Sequence, residues 1–239
     1  SIALRHPRGR GLSAPAPPAL TPRGQIATNN ASIGVGSGAT GTMNLLGGGK
    51  SSSAADIPPW AVFAQSAALT VGDSGTGSLN IKGAGLALMS GKFTVGTGTT
   101  GNGKVDVLGG GKLGTFLIDA LTAGKMTQVG TAGGTGVITV EPTDTLRNRA
   151  MFHTGIIVGN GGTGTLDVLQ GGKALASNGF FQTSCTAQTP SLLIGEQPGY
   201  SGVVRAIGAG TELLVSGKQG AAFGSPAMVG TSSVGSVHI

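Results

Sequence analysis

The chain has 239 residues, of which 47 are glycine, 4% are aromatic and 10% are charged, against roughly 25% charged in ordinary soluble domains. Glycine does not fall at every third position, which excludes collagen, and 38% hydrophobic residues exclude a chain disordered throughout. The net charge of +6 is concentrated early, with Arg5, Arg8, Arg10 and Arg23 near the N-terminus, and no basic stripe interleaved with aromatics points to nucleic acid.

Cys185 is the only cysteine, so neither an intrachain disulfide nor a cysteine zinc cluster can form. No apolar run approaches the ~18 residues a membrane helix needs.

Residues 1–31, rich in proline and arginine, read as a linker or an irregular lead-in, without the apolar centre of a signal peptide. Whatever exports the protein is expected to be absent from this chain or upstream of it. The basic charge of this lead-in fits a solvated linker better than a lipopolysaccharide contact.

Residues 32–239 read as one repeat domain. Seven copies share a hydrophobic residue, a glycine, a short Gly/Ser/Thr turn, a second glycine and then strict alternation. They begin IGVGSGATGTMNLLGGGK at Ile33, LTVGDSGTGSLNIKGAG at Leu69 and FTVGTGTTGNGKVDVLGGGK at Phe93. The rest are TQVGTAGGTGVITVEP at Thr127, IIVGNGGTGTLDVLQGGK at Ile156, LLIGEQPGYSGVVRAIGAG at Leu192 and MVGTSSVGSVHI at Met228.

The leading glycines are Gly36, Gly72, Gly96, Gly130, Gly159, Gly195 and Gly230, and the second glycines are Gly41, Gly77, Gly103, Gly136, Gly164, Gly202 and Gly235. A variable period with a fixed motif means loops of different length on a constant rung.

Alternation after the second glycine is the period-2 signature of a strand with one buried face. It predicts inward pairs Met43/Leu45, Leu79/Ile81, Val105/Val107, Ile138/Val140, Leu166/Val168, Val204/Ala206 and Val237/Ile239. A five-residue strand cannot bury its teeth alone, but strands stacked about 4.8 Å apart bury them against one another.

The glycine runs at 47–49 and 109–111 are predicted corners. A weaker third apolar run follows each corner: Leu86/Leu88, Leu113 with Phe116, Ala174 with Phe180, and Leu213/Val215. Longer connections, from Ser51 to Ala68 with Trp60, Glu141 to Thr154 and Ser177 to Ser191, are expected to project as loops, where binding usually resides.

The V-G, Gly/Ser/Thr turn, G-T-L-x-V and G-G-G succession, clearest from Val158 to Leu175, resembles the autotransporter passenger-associated β-strand repeat of type V secretion and PEP-CTERM-associated surface proteins. The resemblance implies an all-β, right-handed parallel β-helix of about seven glycine-rich rungs. It also implies a bacterial cell-surface or secreted location, outer-membrane associated through a region absent here, and an adhesin or spacer role. The last copy stops at Ile239 within its alternation, from which a fragment of a longer protein, or a next rung supplied by neighbouring copies, is expected.

Several motifs suggest chemistry. Gly36–Gly41 and Gly159–Gly164 satisfy G-x-G-x-x-G, but each precedes a strand pattern, so no helix N-terminus is offered to a phosphate. Gly72-Asp73-Ser74-Gly75 matches a serine-protease nucleophile loop, yet it occupies the repeat's turn slot and no matching histidine completes a triad. His6, His153 and His238 lack metal-ligand spacing, and the turns lack the repeated aspartates of calcium-binding repeats. No cofactor or metal is expected.

The outward position stacks Asn44, Asn80, Asp106, Thr139, Asp167, Arg205 and His238 on successive rungs. Asp106 and Asp167 would lie about 10 Å apart, near the outer limit for an inverting carboxylate pair. These observations support a non-catalytic scaffold, binding host surface, matrix or polysaccharide through Trp60, Asp106, Asp167 and Arg205. The alternatives are a polysaccharide-active enzyme using Asp106, Asp167 and Arg205, and a filament that grows by stacking copies on the open C-terminal end.

Overall fold

The computed structural model describes residues 25–47, 62–83, 85–115, 126–141, 150–152, 155–178, 191–217, 227–229 and 234–238. Among these residues the chain forms nineteen strands, numbered β1 to β19 in chain order, and no helix.

One seven-stranded sheet contains β2 (Thr40–Gly47), β4 (Thr76–Gly83), β7 (Asn102–Leu108), β10 (Thr135–Val140), β13 (Thr163–Leu169), β16 (Ser201–Ile207) and β19 (Val234–His238), stacked in chain order. These are the alternating segments of the seven copies. All their pairings are parallel and keep like positions side by side.

A second, twelve-stranded sheet carries two columns joined through β3 (Val62–Asp73). The second half of β3 belongs with β1 (Gln25–Val35), β6 (Lys92–Thr97), β9 (Thr127–Thr131), β12 (Ile156–Asn160), β15 (Leu192–Ile194) and β18 (Ala227–Val229), the segments ahead of each turn. Its first half pairs with β5 (Leu86–Met89), followed by β8 (Lys112–Thr115), β11 (Ala150–Phe152), β14 (Lys173–Asn178) and β17 (Glu212–Gly217). The weak third apolar run therefore supplies strands β5, β8, β14 and β17, and β11 takes the same place after the fourth copy.

One apolar cluster runs from Ile33 to Val204 and draws on all three columns. Leu79, Val105, Ile138, Leu166 and Val204 are register neighbours and fully buried. Burial of each such side chain stabilises by roughly 1.5–3 kcal/mol, so the fold's cohesion is the stacked column and not any single coil.

The glycines that bracket each turn act in two different ways. Gly72, Gly96, Gly130, Gly159 and Gly195 sit at positive φ, between 66° and 81°, where a side chain costs roughly 1–2 kcal/mol. The second glycines instead leave room for backbone. A Cβ on Gly77, Gly103, Gly136, Gly164 or Gly202 would run into the amide nitrogen of the leading glycine of its own turn, and one on Gly41 into that of Gly34. Gly41, Gly77, Gly103, Gly136, Gly164, Gly202 and Gly235 form one unbroken register column.

The first copy departs from the predicted alignment. Ile33 pairs with Val71 and Val35 with Asp73, which places Gly34, not Gly36, beside Gly72. Gly34 has a φ of 70°, and a Cβ there would meet the Thr76 carbonyl, whereas nothing lies within 4 Å of a Cβ on Gly36. Gly36 belongs to a longer turn in that copy. Gly230 lies outside the described residues.

Four further expectations are corrected. The β1 pairing begins at Gln25, so the stacked region starts ahead of residue 32. The supposed loops overlap strands: β3 starts at Val62, β11 lies within 141–154, and Ser177 and Asn178 end β14. Ala87 and Met89, both fully buried, are the inward residues of β5, not Leu86 and Leu88. Thr115 is the inward partner of Met89, while Phe116, Phe180 and Ile239 lie outside the described residues. The corner at 109–111 stands as expected, with Gly109 and Gly110 at positive φ.

Candidate functional site

The outer face of the seven-stranded sheet carries the predicted polar ladder. Asn44 pairs in register with Asn80, Asn80 with Asp106, Asp106 with Thr139, Thr139 with Asp167, Asp167 with Arg205, and Arg205 with His238. Parallel in-register stacking causes this, because it holds each position over its equivalent one strand away. Asp106 and Asp167 are therefore two strand spacings apart, about 10 Å.

Two neighbouring pairs of the ladder are joined through their side chains. Asn80 Nδ2 donates to Asn44 Oδ1 at 2.8 Å. Arg205 Nε donates to Asp167 Oδ1 at 2.6 Å and Arg205 Nη2 to Asp167 Oδ2 at 2.5 Å, a two-pronged contact across the strands. Asp167 is buried although it faces outward, while the Arg205 side chain is 45% exposed, so the guanidinium lies over the carboxylate and remains wet at its rim. The hydrogen bond to Asp167, and then the Asp167 charge, hold the Arg205 guanidinium above its ordinary pKa against a smaller effect of burial.

Asp106 is paired within its own strand. Lys104 Nζ lies 2.9 Å from Asp106 Oδ2, because residues two apart on a strand share a face. The alternation of the sequence already sets Lys104 on the outward face with Asp106, while the ion pair between them is a finding of the structure. A third ion pair, Lys173 to Glu212 at 2.9 Å, joins β14 to β17.

The two acids stand two strand spacings apart, about 10 Å, just beyond the roughly 6.5–9.5 Å of an inverting pair, and each is bound to a cation. That arrangement makes a flat, charge-balanced ladder of donors and acceptors. Trp60 lies outside the described residues, as do His6 and His153, and the His238 backbone continues the ladder on β19.

The other sequence motifs take structural places. The two G-x-G-x-x-G stretches run into β2 and β13, and Ser74 is a turn residue at φ 58° whose carbonyl accepts a 2.6 Å hydrogen bond from Thr100 Oγ1. Among the described residues no three histidine, cysteine, aspartate or glutamate side chains gather as metal ligands would. No helix of the described residues is long and apolar enough to cross a membrane.

No protein-family model, no curated protein and no solved structure matches the chain.

Proposed function

We propose that this chain is a closed, right-handed parallel β-helix that serves as a non-catalytic rod, a spacer or adhesive scaffold in a secreted or surface-displayed bacterial protein of the autotransporter-passenger type. Closure is supported by three parallel columns sharing one apolar cluster. The right hand follows the general rule for parallel crossovers. The observation that carries the function is that inward teeth and bracketing glycines recur coil after coil, while both outward acids are neutralised by Lys104 and Arg205. The repeat's resemblance to passenger repeats supports the location.

A second reading is favoured by the placement of Asp106 and Asp167 on one face: a polysaccharide-active enzyme in which Arg205 binds an acidic sugar. A turnover screen on acidic polysaccharides separates the two, with Asp167→Ala as control. No turnover, together with retained binding to a surface polymer in a pull-down, supports the scaffold. Turnover that the substitution abolishes overturns it.

A further inference from the structure

One edge of the polar face has a character of its own. Beyond the ladder, the next outward position of five successive coils forms a column of Leu46, Lys82, Leu108, Glu141 and Leu169, Glu141 directly after β10. Leu46 pairs with Lys82, and Lys82 with Leu108. Glu141 follows Val140 in register beside Leu108, its amide donating to the Val107 carbonyl. Leu169 follows Val168, the neighbour of Val140 on the other side.

Leu46 is 62% exposed, and Leu108 and Leu169 are partly exposed. Ile207, in register with Leu169 on β16, extends the apolar edge at 48% exposure. Among the described residues neither Lys82 nor Glu141 has an ion-pair partner, although every other ion pair of these sheets is made between adjacent strands or within one.

From Leu46 to Leu169 the column reads apolar, cation, apolar, anion, apolar, with the apolar Ile207 one strand beyond it. It is its own complement when reversed. A two-fold axis through Leu108 places Leu46 opposite Leu169 of a second copy and Lys82 opposite Glu141, each contact occurring twice, with Leu108 against its own equivalent. A parallel arrangement would instead place Lys82 on Lys82 and Glu141 on Glu141. We infer that this edge is a contact through which two copies of the chain lie side by side and antiparallel.

The inference depends only on the parallel register and not on the proposed location or role. A single-column interface belongs with weak, concentration-dependent association, because stable complexes bury about 1,000 Å² or more. Exposed charges at its centre set orientation more than strength, since like charges brought together oppose association.

The test is sedimentation velocity on the full chain over a concentration series, with Lys82→Glu and Glu141→Lys made singly, together and mixed. The parent is expected to dimerise reversibly. Each single variant is expected to weaken the dimer at least about tenfold, because like charges then face each other twice. An equimolar mixture of the two single variants is expected to recover a mixed dimer, and the double variant to behave as the parent.

Both positions lie outside the core, so circular dichroism of all variants should match the parent. Should one single variant fail to fold, the other still decides, because a dimer it weakens is regained in the double variant only if the two positions face each other. A parent that stays monomeric at every concentration, or single variants that dimerise like the parent, overturns the inference.

Discussion

A Cβ placed on Gly136 would lie 2.6 Å from the amide nitrogen of Gly130 and closer still to the Val95 carbonyl of the preceding coil. The turn that joins β9 to β10 therefore closes backbone against backbone, with no layer of side chains between. Neither partner is a flexible side-chain end that can swing away. Gly136→Ala is expected to lower unfolding stability by about 3 kcal/mol, as an overpacked core substitution does. Urea unfolding checks it, and a loss below about 1 kcal/mol would contradict the close approach.

The alignment of the first copy makes a sharper contrast. Gly34 and Gly36 both have positive φ, but only Gly34 abuts the Thr76 carbonyl of the next coil. Gly36→Ala should cost about 1 kcal/mol, the strain of a left-handed alanine alone. Gly34→Ala should cost about 3 kcal/mol because backbone overlap is added to that strain. Equal losses in paired thermal melts would return Gly36 to the position first read from the sequence.

The Asp167 and Arg205 pair spans adjacent strands and leaves the acid covered. Arg205→Met strips the carboxylate of its partner and should cost about 1 kcal/mol, a figure kept small because the arginine is nearly half exposed and water screens it. A double-mutant cycle with Asp167→Asn measures the coupling, expected at about 1 kcal/mol. A coupling indistinguishable from zero would mean the contact only decorates the face.

Phe152 is fully buried in a three-residue strand that lies within a segment first read as a projecting loop. Phe152→Ala should cost about 3–5 kcal/mol by opening a cavity in the continuous core. A surface-like loss below about 0.5 kcal/mol in chemical denaturation would place the residue back in a loop.

Glu196 gives a pH dependence. Partial burial raises its carboxyl above the ordinary value, so the folded chain binds the proton more tightly than the unfolded one. Stability from this group is therefore greatest below the ordinary carboxylate range and falls as pH rises through the raised value. Glu196→Gln should raise the melting temperature at neutral pH, and the gain should vanish in acid. A gain that persists unchanged at low pH would assign it to something other than this titration.

Much of the architecture was legible because each copy places its teeth at fixed offsets from a glycine. Leu79, Val105 and Leu166 could be aligned through Gly77, Gly103 and Gly164, and parallel pairing then turned a sequence alignment into a spatial one. The polar ladder followed by the same logic, Asp106 to Asp167 included. The third strand was harder to read. Leu86, Ala87, Leu88 and Met89 are all apolar, so period two cannot say which face is buried, and β11 is too short to show any period.

Local pattern alone thus determined that the chain alternates, bends at glycine and stacks like on like, since these properties repeat within every copy. Contact between coils decided the rest. It selected Gly34 over Gly36, turned Ala87 and Met89 inward and drew β11 between β8 and β14. Connections of unequal length separate those residues along the chain, and only the neighbouring coil supplies the backbone that a side chain must meet or avoid.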